Sequence, residues 1–351
     1  ACVGLLPSPA TGLDMFGCPQ PLPGMAPIPP HALRTWVRRI HVRAGVIVDP
    51  AGNILIAKRP DGSHQGGLWE FPGGKLESGE ERLAGLSREL QEELGIQVIE
   101  AHPLIDIRHD YSDKSIRLDV WKVTAFSGEA HGAEGQPVRW VPPQTLSDFD
   151  FPAANKPIVI AAQLPDQYLI TPDTDEQSLL AGLEQAKANG IRLVQLRQTQ
   201  LDCAAYRDRA IMVLERFGDH FQWLLKGDNA PPWSNAGWHL TSAQLRCLWQ
   251  QRGQQQAKPG NKLMAASCHN AEELQMAMEL GIDFVTLSPI AATQSHPGSE
   301  PLGWAAAEQL MQAATLPVYL LGGMTPEHLD QARKCGAQGV AGISAFWPDT
   351  R

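Results

Sequence analysis

Nowhere do the 351 residues contain an uninterrupted apolar run of 18 or more, about the length a helix needs to cross a bilayer. A membrane span of that kind is therefore not expected. A basic surplus is missing too, since 29 Lys and Arg face 38 Asp and Glu for a net charge of -9. Direct nucleic-acid binding, or docking on anionic lipid, needs a basic footprint and is not expected either. The six cysteines, Cys2, Cys18, Cys203, Cys247, Cys268 and Cys335, show no C-x-x-C spacing. They read as reduced thiols of a cytoplasmic protein. The chain also lacks an initiator Met and opens on a Pro- and Gly-rich stretch with no basic region ahead of an apolar core, unlike a signal peptide. Residues 1–36 are expected to be a disordered leader or the tail of a truncated gene model.

Hydrophobic residues, in contrast, make up 43% of the chain, enough for packed cores. The length predicts two domains. Over residues 37–163, strand-like runs (AGVIV, ILIAK, IRLDVWKV) surround one strongly helical segment, predicting a mixed sheet. From 166 to 347 short apolar runs alternate with helical stretches such as 176–188. YLITP, LVQLR, FQWLLKG, GWHLTS, KLMAAS, FVTLS, PVYLLGG and GVAGIS supply eight candidate parallel strands. That is the rhythm of a compact TIM (β/α)8 barrel. The chain stops soon after the eighth run, without room for a full closing helix, so the first domain or a partner is expected to cover that side.

The helical segment carries the first chemical signal. Leu83, Leu86, Leu90 and Leu94 form an apolar stripe. Ser78 is a candidate N-cap with Glu81 three residues on, and Gly95 marks the stop. Glu89, Glu92 and Glu93 share another face, where like charges four apart repel by roughly 0.2–0.5 kcal/mol. Such a face could simply be solvated. The surrounding residues fit G-x5-E-x7-R-E-U-x-E-E-x-G-U, with U a bulky aliphatic, at Gly74, Glu80, Arg88, Glu89, Leu90, Glu92, Glu93, Gly95 and Ile96. This segment resembles the Nudix box, whose family binds divalent cations that engage nucleoside diphosphate derivatives. Hard carboxylate oxygens suit Mg²⁺, with Mn²⁺ as the alternative.

The likeness runs across 37–163 and is similar to the MutT-type Nudix hydrolases, the 8-oxo-dGTP diphosphatases, through LWEFPGGKLE, EGQPVRWV and DFDFPAANKPIV. It implies an α/β/α sandwich in which Glu89, Glu92, Glu93 and Glu134, with a carbonyl of Gly73 or Gly74, hold the metal. It also implies substrate contacts from Arg59, Phe71, Lys75 and Asn155, with Arg88 pairing a box carboxylate. Asn155 could instead cap the following helix, Phe71 could be core, and Glu134 could be an ordinary loop carboxylate. Lys114 reads as a solvated loop charge. The implied reaction is Mg²⁺-dependent hydrolysis of 8-oxo-dGTP, or a related nucleoside triphosphate, to the monophosphate and pyrophosphate. Glu89 or a neighbour takes the water proton, and nucleotide-pool cleaning would limit replication errors.

The second half resembles the thiamine phosphate synthase/TenI family through VQLRQ, GWHLTSAQL, SPIAATQSHPG, LGGM and GVAGISAF. The resemblance implies a phosphate or thiamine-related ligand near Arg197, Gly322, Gly323, Gly342 and Ser344, with His269 at the position of the TenI proton-transfer histidine. Departures are concentrated at the charged positions: Thr199 replaces a lysine, Lys226 and Gly227 replace an Asn-Asp pair with Asp228 displaced, Gln244 replaces an Asp and His296 a lysine. The expectation is a non-synthase, phosphate-ligand-binding or TenI-like barrel. Two alternatives stay open. One is a thiamine-pathway enzyme, a phosphate synthase or thiazole tautomerase, with an accessory Nudix domain. The other is a regulatory barrel that binds a ligand without turning it over. Oligomeric state is not legible.

Overall fold

The computed structural model describes residues 38–62, 65–76, 79–110, 114–252, 262–292 and 300–347. The first half is built from β1 (Arg38–Ile47), β2 (Ile54–Lys58), β3 (Trp69–Glu70), α1 (Arg82–Leu94), β4 (Gln97–Asp110), β5 (Lys114–Ser127), β6 (Val138–Val141) and α2 (Lys156–Gln163). Strand β5 is central to one sheet, parallel to β1 and antiparallel to β4, while β2 lies between β3 and β6 in an antiparallel sheet.

Helix α1 covers one side. Leu86, Leu90 and Leu94 are fully buried against Ile47, Leu55, Ile96 and Val123, each contributing roughly 1.5–3 kcal/mol by its burial. Leu83 is only half-buried at the end of the stripe. On the other side, Ile158 and Val159 of α2 join Phe71, Ile105, Val120, Val141 and Leu146. The result is an α/β/α sandwich with a mixed sheet. The stop of α1 is as expected, with Gly95 at φ 71°.

The start of α1 is not where a capping box at Ser78 would put it. The N-cap is Glu81, with no side-chain capping bond, and Ser78 lies outside the described residues. One residue earlier, Glu80 is pinned, its carboxylate to Arg43 and Arg88 and its carbonyl to Arg43. That holds the chain extended until Arg82.

The second half is a closed parallel barrel, and all eight expected runs are its strands: β7 (Gln167–Ile170), β8 (Leu193–Leu196), β9 (Gln222–Leu225), β10 (Ala236–Leu240), β11 (Met264–Cys268), β12 (Phe284–Leu287), β13 (Val318–Leu320) and β14 (Gly339–Gly342). Around it lie α3 (Glu176–Ala188), α4 (Cys203–Phe217), α5 (Ser242–Gln250), α6 (Ala271–Glu279), α7 (Gly303–Met311) and α8 (Leu329–Lys334). Alternation sends Tyr168, Leu193, Leu224, Ala265, Phe284, Tyr319 and Ala341 inward and packs Leu169, Val194 and Leu225 beneath the helices.

Leu164 and Ile160, at the end of α2, join the inward cluster. The Gln338 amide donates to the Ala161 and Leu164 carbonyls at 3.0 and 3.1 Å, and the Tyr319 hydroxyl donates to the Pro165 carbonyl. The first domain therefore seals the N-terminal end of the barrel, leaving the C-terminal end, where barrel sites are built. Among the described residues no helix is long and apolar enough to cross a membrane. The described cysteines Cys203, Cys247, Cys268 and Cys335 are free.

Candidate active site

The loop before α1 lies across β1. Pro72 and Gly74 carbonyls accept from Gly45 and Arg43 N–H, both at 2.8 Å, which leaves the Gly73 carbonyl as the candidate ligand oxygen. Gly73 has φ 151° and donates its N–H to Glu93 Oε2 at 3.1 Å. A Cβ on Gly74 would lie 2.0 Å from Glu89 Oε2, so a side chain there would displace that carboxylate.

Arg88 is the hub of the acidic face. Its guanidinium reaches Glu80 at 3.0 Å, Glu89 at 2.8 Å and Glu92 at 3.1 Å. Arg43, 1% exposed, pairs with the other Glu80 oxygen at 3.4 Å. The Glu93 carboxyl is pushed up to about 7, first by burial and then by the charges of Glu70, Glu134 and Glu89, against the opposing Gly73 bond. Glu134 sits on an exposed loop that Gln136 ties to α1. The Gln136 amide accepts from Glu134 N–H and donates to the Glu93 carbonyl, both at 3.0 Å.

Beside this face, Arg59 pairs with Glu70, whose carboxyl is raised by burial despite that partner. Phe71 is 4% exposed and stacks on Phe151 at 5.2 Å between centroids. Its ring is thus core, and it braces the FPAAN loop rather than offering a face to a base. Asn155 ends a 3-10 turn (Ala153–Asn155) and occupies the N-cap position of α2, where its side chain makes no capping bond. It is half-buried at the edge of this region. Lys75 is exposed on the segment paired with Val42. Lys114 begins β5 rather than lying in a loop.

At the mouth of the barrel, Gly322 and Gly323 (φ 98° and 70°) follow β13 and pack against the segment after β12. Gly342 ends the neighbouring β14 beneath the Phe346 ring, and Ser344 is exposed in the next turn. Arg197 follows β8 and pairs with Asp173 at 3.3 Å. His269 Nδ1 lies 2.9 Å from Glu273, which is buried and also takes Arg246 at 3.1 Å. Gln244 closes a capping box with Thr241 and donates to the Gly227 carbonyl. His296 lies outside the described residues. Within the barrel, His239 bridges the Tyr168 hydroxyl at 2.8 Å and the Ser267 hydroxyl at 3.0 Å. Burial pushes its imidazole down to about 4, so it is neutral at physiological pH.

With this geometry the comparisons agree. Residues 43–161 match the NUDIX domain family and residues 167–346 the thiamine monophosphate synthase family. An 8-oxo-dGTP diphosphatase of Proteus vulgaris is 46% identical over 98 residues, covering 28% of this chain and 88% of that protein. A CTP pyrophosphohydrolase of Escherichia coli K12 is 36% identical over 115 residues, 33% of this chain and 85% of its own. A protein of Aquifex aeolicus named as a candidate thiamine-phosphate synthase is 33% identical over 193 residues, 52% of this chain and 98% of its own.

The chain belongs to both families. Its first half is a Nudix hydrolase and its second a thiamine phosphate synthase-like barrel.

Among the described residues no three acidic, His or Cys side chains of the chain stand close enough to hold a metal ion as they are placed. Glu89 and Glu92 lean on Arg88, and Glu93 on Gly73. The donor set still fits a hard divalent cation, because all its members are carboxylate or carbonyl oxygens and Glu93, its carboxyl raised first by burial and then by the Glu70, Glu134 and Glu89 charges, would be relieved by a bound positive charge. Reasoning from the sequence missed Glu70, Gln136, Arg43, His239 and Asp173. Glu70 and Gln136 lie inside stretches already singled out, LWEFPGG and EGQ, whereas a buried arginine and a buried histidine leave no mark in a linear pattern.

Proposed function

We propose that the Nudix half hydrolyses 8-oxo-dGTP to 8-oxo-dGMP and pyrophosphate with Mg²⁺ as cofactor, Mn²⁺ being able to replace it, and so clears an oxidised precursor before it enters DNA. The observation that carries this reading is the placement of Glu89, Glu92 and Glu93 on α1 beside the turn of Gly73 and Gly74, where the Gly73 N–H donates to Glu93 at 3.1 Å and a side chain on Gly74 would displace Glu89. Glu89, Glu92, Glu93, Glu134 and the Gly73 carbonyl would hold the metal. When bound, Mg²⁺ neutralises triphosphate charge and acidifies water. Glu89 takes the proton of the attacking water while Arg88 holds Glu89 and Glu92 in place. The water oxygen bonds to the β-phosphorus as the bond from that phosphorus to the α–β bridging oxygen breaks. That oxygen leaves with 8-oxo-dGMP.

Arg59, oriented by Glu70, faces the substrate phosphates or sugar, and Lys75 adds positive charge beside them. Asn155 reads the base: its amide offers a donor and an acceptor, matching an edge whose N7 has become a donor on oxidation. The barrel is a phosphate-ligand-binding domain without synthase activity. His269, oriented by Glu273, is its proton-transfer candidate.

Pyrophosphate or phosphate release with Mg²⁺ from 8-oxo-dGTP, dGTP, CTP and thiamine diphosphate tests the assignment. The expected result is a preference for 8-oxo-dGTP, with 8-oxo-dGMP as the other product. A preference for CTP would move the substrate, and turnover of thiamine diphosphate alone would place the enzyme in thiamine metabolism.

A further inference from the structure

Arg43 lies in the middle of β1, and its side chain is buried beneath the first turn of α1. Nη1 donates to Glu80 Oε2 at 3.4 Å and Nη2 to the Glu80 carbonyl at 3.3 Å. Its Nε is buried too, and among the described residues it has no hydrogen-bond partner. A buried guanidinium with an unmet donor lowers stability where an apolar side chain of similar size would not. Packing alone therefore does not account for an arginine at this position.

Gly85 makes the room. A Cβ there would overlap Arg43 Nη1 and lie 2.5 Å from Glu80 Oε2. Gly85 stands inside α1, where glycine weakens a helix relative to alanine. Two locally unfavourable residues thus meet at one carboxylate, and that carboxylate anchors Arg88. Glu80 takes Arg88 Nε at 3.0 Å and Nη2 at 3.4 Å, while Nη2 and Nη1 reach Glu89 at 2.8 Å and Glu92 at 3.1 Å. The backbone of Arg43 holds the opposite side of the same site, its N–H donating to the Gly74 carbonyl at 2.8 Å.

We propose that Arg43, given room by Gly85, is a positioning residue for the metal-binding face. It fixes Glu80, Glu80 fixes Arg88, and Arg88 so anchored holds Glu89 and Glu92 where they can take a divalent cation. The inference rests on the Nudix reading of that face and not on which nucleotide is hydrolysed.

The test is a calorimetric Mg²⁺ titration of the full chain without nucleotide, beside turnover against Mg²⁺ and against nucleotide. Arg43→Met keeps an unbranched stem and removes the charge. It is expected to weaken Mg²⁺ binding about 10-fold or more and to raise the Mg²⁺ needed for half-maximal turnover in proportion, with the nucleotide KM at saturating Mg²⁺ unchanged. Gly85→Ala, whose methyl takes the place of Nη1, is expected to show the same loss, and the double variant no more than either single one. Arg43→Lys, which returns a positive charge beside Glu80, is expected to recover part of the affinity. Should Arg43→Met not fold, the double variant, in which the added methyl fills vacated space, carries the same expectation. A folded Arg43→Met that melts earlier but binds Mg²⁺ as wild type does would make the residue merely structural and overturn the proposal. Single losses that add in the double variant would overturn it as well. Wild type that binds Mg²⁺ yet spares 8-oxo-dGTP would refute the substrate alone, and the titrations would still decide the role of Arg43. Wild type that binds no Mg²⁺ would overturn both.

Discussion

Glu93 and Asp173 are both carboxylates near a loop, and the fold treats them in opposite ways. Glu93 feels the charges of Glu70, Glu89 and Glu134, and among the described residues its carboxylate accepts a hydrogen bond from the Gly73 N–H. Asp173 receives a guanidinium, a hydroxyl and two N–H groups. At the barrel mouth Glu273 is likewise answered by Arg246 and His269. Charge left unbalanced by the chain marks where an external ion belongs, and charge balanced internally makes no such demand. The difference separates an acidic cluster that repels itself from acidic side chains that the chain pairs internally.

The largest effect expected on this contrast comes from neutralising carboxylates of the acidic face. Glu92→Gln and Glu93→Gln should each lower turnover by about 100-fold or more while circular dichroism shows an intact fold. Next comes the clamp. Gln136→Ala frees the Glu134 loop and should raise the Mg²⁺ concentration needed for half-maximal activity by about 10-fold, with excess Mg²⁺ restoring most of the rate. Asn155→Ala leaves the metal machinery alone and should shrink the preference for 8-oxo-dGTP over dGTP by about 10-fold in kcat/KM. An unchanged ratio would remove the base-reading role.

The smallest effect is thermodynamic. In metal-free protein the Glu93 carboxyl is raised from its ordinary 4.5 to about 7, so the folded state holds the proton more tightly than the unfolded chain. Its contribution is complete below pH 4.5 and is lost as pH rises through 7. Denaturant melts should show wild type losing about 1–2 kcal/mol over that window, after allowance for solvent screening, relative to Glu93→Gln.

Much of this architecture was legible because strong periodicity and strict spacing are local. The eight barrel runs are short, apolar and punctuated, and the box places nine specified residues in 23 positions. Strand β4 was not legible. It contains Pro103 and register shifts between Val98 and Glu100 and between Pro103 and Ile105, which break the alternation that marks a half-buried strand. The start of α1 misled for another reason: Glu80 is held by Arg43, 37 residues away, and no local cap rule sees that partner. The Asp173 pairing is invisible for the same cause, since its donors lie on a different strand's loop. Carry-over by resemblance brought the Nudix side chains to one region, yet it could not show that Arg59 is held by Glu70 or that the Phe71 ring is core.

The most direct measurement is a thermal melt of the full chain at pH 8 against increasing Mg²⁺, run beside Glu93→Gln. Wild type is expected to gain stability saturably, because the cation relieves the crowded carboxylates, and the variant to gain far less. Equal gains in both proteins, or none in wild type, would contradict the account.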